Sequence, residues 1–239
     1  MKVTKFAYQI DNEDRVGFNS EAVVENNTQY EISMIKTNSL IVNAEGVCVG
    51  GEYDNEHEVF IDPSESVSID LRSGWGHPIQ FFGDELDKIK SVNDAVLYRR
   101  DFMKLGEFEV PRDEHETSMI KKDVTVGGMI DIMGVAAIRG KTEENGEARI
   151  EINCALRNIS DTHIEKAVFR AILNDREDAQ VDMSQEYNTL PPHTGKCFRP
   201  RFYENKGKLR DATIRLSVAI YLPVDHISAE AVATKYERD

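Results

Sequence analysis

Positive charge is scarce in this 239-residue chain: 29 lysines and arginines stand against 43 aspartates and glutamates, for a net charge of −14. A protein that grips nucleic acid needs a cationic footprint for the phosphates, and a bare anionic membrane surface asks for the same, so neither is an expected partner. Long apolar runs are missing too. No segment approaches the roughly 20 apolar residues that cross a bilayer. The opening Met1-Lys2-Val3-Thr4-Lys5-Phe6-Ala7 has basic residues but no apolar core of signal-peptide length behind them, so no membrane insertion is expected. Cysteine is sparse: the three, at 48, 154 and 197, lack CxxC spacing. That speaks against a disulfide framework and for a reducing, cytoplasmic location. Cys154 and Cys197 both fall in the second half, where a disulfide between them is the alternative to two free thiols.

Catalytic signatures are equally thin. No GxSxG elbow occurs, and neither Gly50-Gly51 nor Gly127-Gly128 is followed by the GK[ST] of a phosphate loop. His57, in Glu56-His57-Glu58, and His115, in Glu114-His115-Glu116, have no second ligand at HExxH spacing. In extended chain their acidic neighbours point to alternate sides. Asp11-Asn12-Glu13-Asp14 lacks the glycine and terminal glutamate of a calcium loop and reads as a hairpin tip, as do 54–56 and 143–146. The expectation is a protein that is not an enzyme and uses no cofactor or metal.

What is present is alternation. Hydrophobic residues make up 40% and charged residues 30% of the chain, a folded composition. In 149–157, Ile150, Ile152, Cys154 and Leu156 occupy every second position, the period of a strand with one wet face. Ile214, Leu216, Val218, Ile220 and Leu222 do the same. Between these runs, 167–173 reads as a more buried strand ended by the turn formers Asn174-Asp175.

The first half repeats this order. Val16, Phe18, Ser20, Ala22 and Val24 alternate like 148–156, and the two strands end at Asn26 and Asn158. Ile32 falls at the place of Ile164, and Glu52-Tyr53 at that of Glu186-Tyr187. Proline turns at Pro63 and Pro192 lead into short strands. Asp94-Ala95 is aligned with Asp211-Ala212 before a final long strand. About seven short strands per half predict two tandem immunoglobulin-like β-sandwich domains. The first spans 1–111 and the second 124–228, joined by a charged linker over 112–123. Residues 229–239 read as a frayed helix or coil.

The second half, from about Gly146 to Val224, resembles the FxLYD-type immunoglobulin-like domains. The resemblance rests on the strand ending Leu156-Arg157-Asn158-Ile159-Ser160-Asp161, the run 164–175, and the turn before Cys197-Phe198. Within the motif Leu173 and Asp175 match, while Ala171 stands for the Phe and Asn174 for the Tyr. The resemblance implies a small binding or structural module without catalysis. Such domains often lie outside the cytoplasm behind a membrane anchor, which this chain does not show.

One segment has no counterpart in the second half. Residues 73–89 carry the single tryptophan, and Phe82, Leu86 and Ile89 have helical spacing, which predicts a short helical insertion over 84–90. Trp75, His77, Ile79, Phe81 and Phe82 are the candidate partner-binding residues, because aromatic anchors favour interfaces. The competing reading has the same aromatics plugging the sandwich end. Function is therefore expected to be protein interaction or scaffolding, with a protein partner or self-association. Alternatives are a metal- or carbohydrate-binding module at the acidic tips and aromatic loop, or a hydrolase with a dispersed site.

Overall fold

The structure is a computed structural model that describes residues 1–11, 13–71, 77–82, 85–113, 117–120, 124–141, 144, 147–175, 177–205 and 212–236; residues 77, 81, 117–120, 124, 204 and 205 are described through their backbone alone. It is all-β. The first strands are β1 (Lys2–Ile10), β2 (Arg15–Glu25), β3 (Ile32–Val42), β4 (Cys48–Ile61), β5 (Ser66–Asp70), β6 (His77–Pro78) and β7 (Lys90–Glu109). Next come β8 (Thr117–Ile120), β9 (Val124–Val126), β10 (Ile130–Arg139), β11 (Glu147–Asn158), β12 (Ile164–Asn174) and β13 (Gln180–Leu190). The last are β14 (Gly195–Phe198), β15 (Arg201–Asn205), β16 (Thr213–Val232) and β17 (Thr234–Lys235).

The chain forms two compact units, one of residues 1–100 with 223–239 and the other of residues 101–222. In the second unit, alternation sorts side chains as the pleat requires. Ile150, Ile152, Cys154 and Leu156 of β11 are buried, as are Ile214, Leu216, Val218 and Ile220 of β16, and all join one core with Phe169, Phe198 and Phe202. One sheet runs β14–β11–β10–β8, with β15 on β11 and β9 on β10. The other runs β13–β12–β16–β7. In the first unit β17–β1–β2–β5 form one sheet and β4–β3–β7–β16 the other. Ala22, Val24 and Ile69 from one sheet meet Ile32, Ile35, Ala95 and Leu97 from the other.

β7 and β16 each run 20 residues. The division places residues 90–100 of β7 and 223–232 of β16 in the first unit, and residues 101–109 and 213–222 in the second. The sequence reading put a boundary at 111 and a linker at 112–123; the units instead divide at Arg100/Asp101 and Leu222/Pro223, within strands. The tail expected as helix or coil is strand: β16 continues to Val232, and β17 pairs parallel with β1, Ala7 opposite Thr234. The reason is backbone demand, since paired extended chain satisfies amides that a short helix without an apolar face would leave to water.

The repeat is physical. Asn26 and Asn158 are fully buried. Asn158 Nδ2 donates to the carbonyls of Thr162 (2.8 Å) and Leu190 (2.9 Å), and its Oδ1 accepts from Ser160 N (3.0 Å) and Oγ (2.8 Å). Asn26 does the same with Tyr30 O (2.8 Å), Ile61 O (2.9 Å), Thr28 N (3.0 Å) and Thr28 Oγ1 (2.8 Å). Each asparagine thereby ties the end of a strand to the turn after it and to the far end of the next hairpin. In the final strands, Met34 faces Tyr98 and Lys166 faces Tyr221, so the repeat aligns those tyrosines and not Asp94-Ala95 with Asp211-Ala212.

Three hairpins share one turn. Asp11, Asn43 and Asp175 each accept, through Oδ1, the amides two and four residues on. The residue three on is left-handed: Asp14 (φ 56°), Gly46 (80°) and Asp178 (66°). Asp11 thus anchors the hairpin tip expected there. Residues 54–56 are not a tip, because they lie inside β4, where Asp54 (φ 56°) marks a bulge. Of 143–146, only Glu144 lies within the described residues.

Candidate interaction surface

Trp75 lies outside the described residues. Of its neighbours, His77 pairs through its backbone with Val16, and Ile79–Phe81 form a single 3-10 turn. No α-helix occupies 84–90 among the described residues. Leu86–Lys88 make a second 3-10 turn that closes at once into extended chain at Ile89. The spacing of Phe82, Leu86 and Ile89 serves burial all the same. Phe82 packs edge-on against Phe18 at 5.2 Å, and Leu86 and Ile89 join it in a core with Phe6, Tyr8 and Val16, against which Ile79 is half-buried. Phe82 is a core plug, not an exposed anchor, and Ile79 leans the same way.

His57 turns inward, with Nε2 3.2 Å from Thr37 Oγ1; His115 lies outside the described residues. No three His, Cys, Asp or Glu side chains converge on a metal position among the described residues. All three cysteines are free. Cys154 faces Phe198 across the ladder, and Cys197 faces Ala155. Opposed residues share a face and neighbours alternate, so the two thiols lie on opposite faces of the sheet and cannot bridge. Cys154 is buried, and desolvation pushes its thiol up to about 12, with Cys197 adding to the effect. Cys197 is exposed.

The chemistry that the structure assembles lies elsewhere, on the outward face of β13–β12–β16–β7 in the second unit. Register sets it. Phe169 and Ala171 point into the core, so Val168, Arg170 and Ile172 point out. Across the ladders Val168 meets Tyr187 and Ala219, Arg170 meets Gln185 and Ser217, and Ile172 meets Met183 and Arg215. β7 adds Phe102 and Lys104. Tyr187 is 69%, Phe102 51% and Met183 43% exposed. A shallow groove of about 530 Å³ runs between Phe102, Lys104, Ile172 and Arg215.

Charge on this face runs against that of the chain. Arg215 is held by Asp178 (2.6 Å) and Glu107 (3.1 Å), and those hydrogen bonds raise its pKa above the ordinary guanidinium value. The Lys166 ammonium lies 5.4 Å from the Tyr221 ring centroid and 6.0 Å from that of Tyr187. Lys104 and Arg170 are ion-paired with no described residue. The sequence carries one signal for this site. In 167–173 apolar residues fall on both faces of the strand, which reads as two-sided burial, yet Val168 and Ile172 are only half-buried and open to the groove side.

No family model matches the chain. No curated protein matches it. Among solved structures, a conserved hypothetical protein from Bacillus anthracis is 16% identical, covering 48% of this chain and 94% of that one, at a TM-score of 0.30. A β-glucuronidase from Bacteroides uniformis is 8% identical over 90% of this chain and 26% of its own, at 0.30. An exo-chitosanase from Amycolatopsis orientalis is 10% identical over 92% and 26%, at 0.26. At these scores none of them bears on what this chain binds.

Proposed function

We propose that this protein is a non-enzymatic protein-interaction module whose second unit presents an open sheet face to an acidic segment of a partner. One observation carries the proposal: exposed Tyr187 and Phe102 share a sheet face with Lys104 and Arg170, cations in no ion pair with a described residue, on a chain of net charge −14. Aromatic and arginine side chains of this kind dominate binding energy where they are found. A local positive field on an acidic body selects an acidic partner and speeds encounter with it. Three free thiols support a reducing compartment, and no helix among the described residues is long and apolar enough to cross a membrane.

The test is affinity capture from the native host with the wild-type chain and with Tyr187→Ala/Arg170→Glu, followed by mass spectrometry. The expected result is an acidic partner retained by the wild type, released by salt, and lost with the variant. Equal retention by a folded variant would refute this face. Trp75→Ala with Phe81→Ala is the parallel variant for the aromatic loop. Analytical ultracentrifugation reports whether a second copy of this acidic chain is itself the partner.

A further inference from the structure

The first unit holds a second recess, on the outward face of β1 and β2, unrelated to the sheet face above. Phe6 and Tyr8 point into the core, so Lys5, Ala7 and Gln9 point out. Across the ladder Lys5 meets Glu21, Ala7 meets Asn19, and Gln9 meets Gly17. Small Ala7 and Gly17 make a floor between longer side chains. Tyr236, pinned by its amide to Tyr8 O at 2.8 Å, supplies an aromatic wall. The hollow measures about 260 Å³, below the roughly 300 Å³ at which sites for drug-sized ligands begin.

Its chemistry is selective. The Lys5 ammonium is 3.1 Å from Glu21 Oε1 and 5.5 Å from the Tyr236 ring centroid, so its charge is balanced and a simple anion gains little. Gln9 and Asn19 make no side-chain hydrogen bond with any described residue, and each amide presents both donors and an acceptor. An aromatic face and two open amides around a small neutral floor match a ring that is apolar on its C–H face and carries hydroxyls at its rim.

We infer that this hollow binds one neutral pyranose unit. Tyr236 packs on the ring face, and Asn19 and Gln9 bond adjacent hydroxyls. With about a dozen heavy atoms engaged, the dissociation constant is on the order of millimolar.

The test is a two-dimensional ¹H–¹⁵N NMR titration of the full chain with glucose, galactose and N-acetylglucosamine in turn. Inorganic phosphate and glycerol are the comparison probes. The expected result is a saturable shift confined to β1, β2 and β17 with at least one pyranose. Binding weakens about tenfold in Tyr236→Ala and in Asn19→Ala and is abolished in Ala7→Leu, which fills the hollow, while the remaining resonances stay in place. No saturable shift with any pyranose overturns the inference. So does phosphate or glycerol producing the same shifts, or indifference to Tyr236→Ala in a folded variant. The outcome is independent of partner capture, which reads the second unit.

Discussion

Replacing Asn158 by alanine removes the tie that closes the second unit's hairpins, and the structure sets the magnitude. The change strips the donor from Leu190 O, a fully buried acceptor 2.9 Å away, and from the part-buried carbonyls of Thr162 and Pro191 at 2.8 and 3.2 Å. It also strips the acceptor from Ser160 N at 3.0 Å. A buried polar group left unpaired costs about 1–3 kcal/mol, whereas the part-buried ones recover water and lose roughly 0.5–1 kcal/mol each. The expected loss is about 3 kcal/mol, a large share of a typical domain's 5–15 kcal/mol or so. Urea unfolding followed by far-ultraviolet circular dichroism reads it as a lower midpoint at unchanged slope. The shape-matched Asn158→Asp costs at least as much at neutral pH, because a carboxylate cannot donate to Leu190 O, and it recovers part of the loss as acid restores a donor. Asn26→Ala is expected to match Asn158→Ala within about 1 kcal/mol, since the two networks correspond except for the added 3.2 Å bond from Asn158 to Pro191 O. A loss under about 1 kcal/mol for either asparagine would refute the claim that these ties hold the sandwich ends.

Thiol accessibility follows from burial. Cys48 and Cys197 react with Ellman's reagent in the folded protein, while Cys154, pushed up to about 12 by burial, holds almost no thiolate at pH 8 and reacts only on unfolding; three fast thiols in the native state would contradict this. Gly51→Ala places a Cβ 2.1 Å from Ser39 O at φ +149°, so β3 and β4 must part, at about 2 kcal/mol or more. Gly46→Ala, with open space around it, costs only the left-handed backbone penalty of about 1 kcal/mol; equal thermal shifts for the two would count against the register. Ser20 Oγ is buried with no partner among the described residues, so Ser20→Ala is expected to raise stability by about 1 kcal/mol in the same urea assay, and a loss would show that the hydroxyl is engaged.

Much of the architecture was legible because strand formation is a local property. A residue's side of the pleat depends on parity alone, so 149–157 and 214–222 announced their buried faces, and the polar run 11–14 announced a hairpin tip. Asn26 and Asn158 could be paired by position in the sequence, but the carbonyls that accept their amide protons lie up to 35 residues away, which no periodicity reports. Helical spacing in 82–89 misled for a related reason: a loop that folds over a core also needs an apolar residue every few positions, and only packing distinguishes the two.

The sequence by itself determined the alternating strands at 16–24, 149–157 and 213–222, their wet and dry faces, and the repeated order of strand and asparagine turn, since each follows from side-chain order along a few residues. Tertiary structure decided which strands became neighbours, that the two units divide within β7 and β16 and not at 111, and that Tyr187, Arg170 and Phe102 share one sheet face. Hydrogen-bonding edges of extended chain are nearly alike, so the choice of partner is made by the packing of whole faces, which is a property of the assembled core.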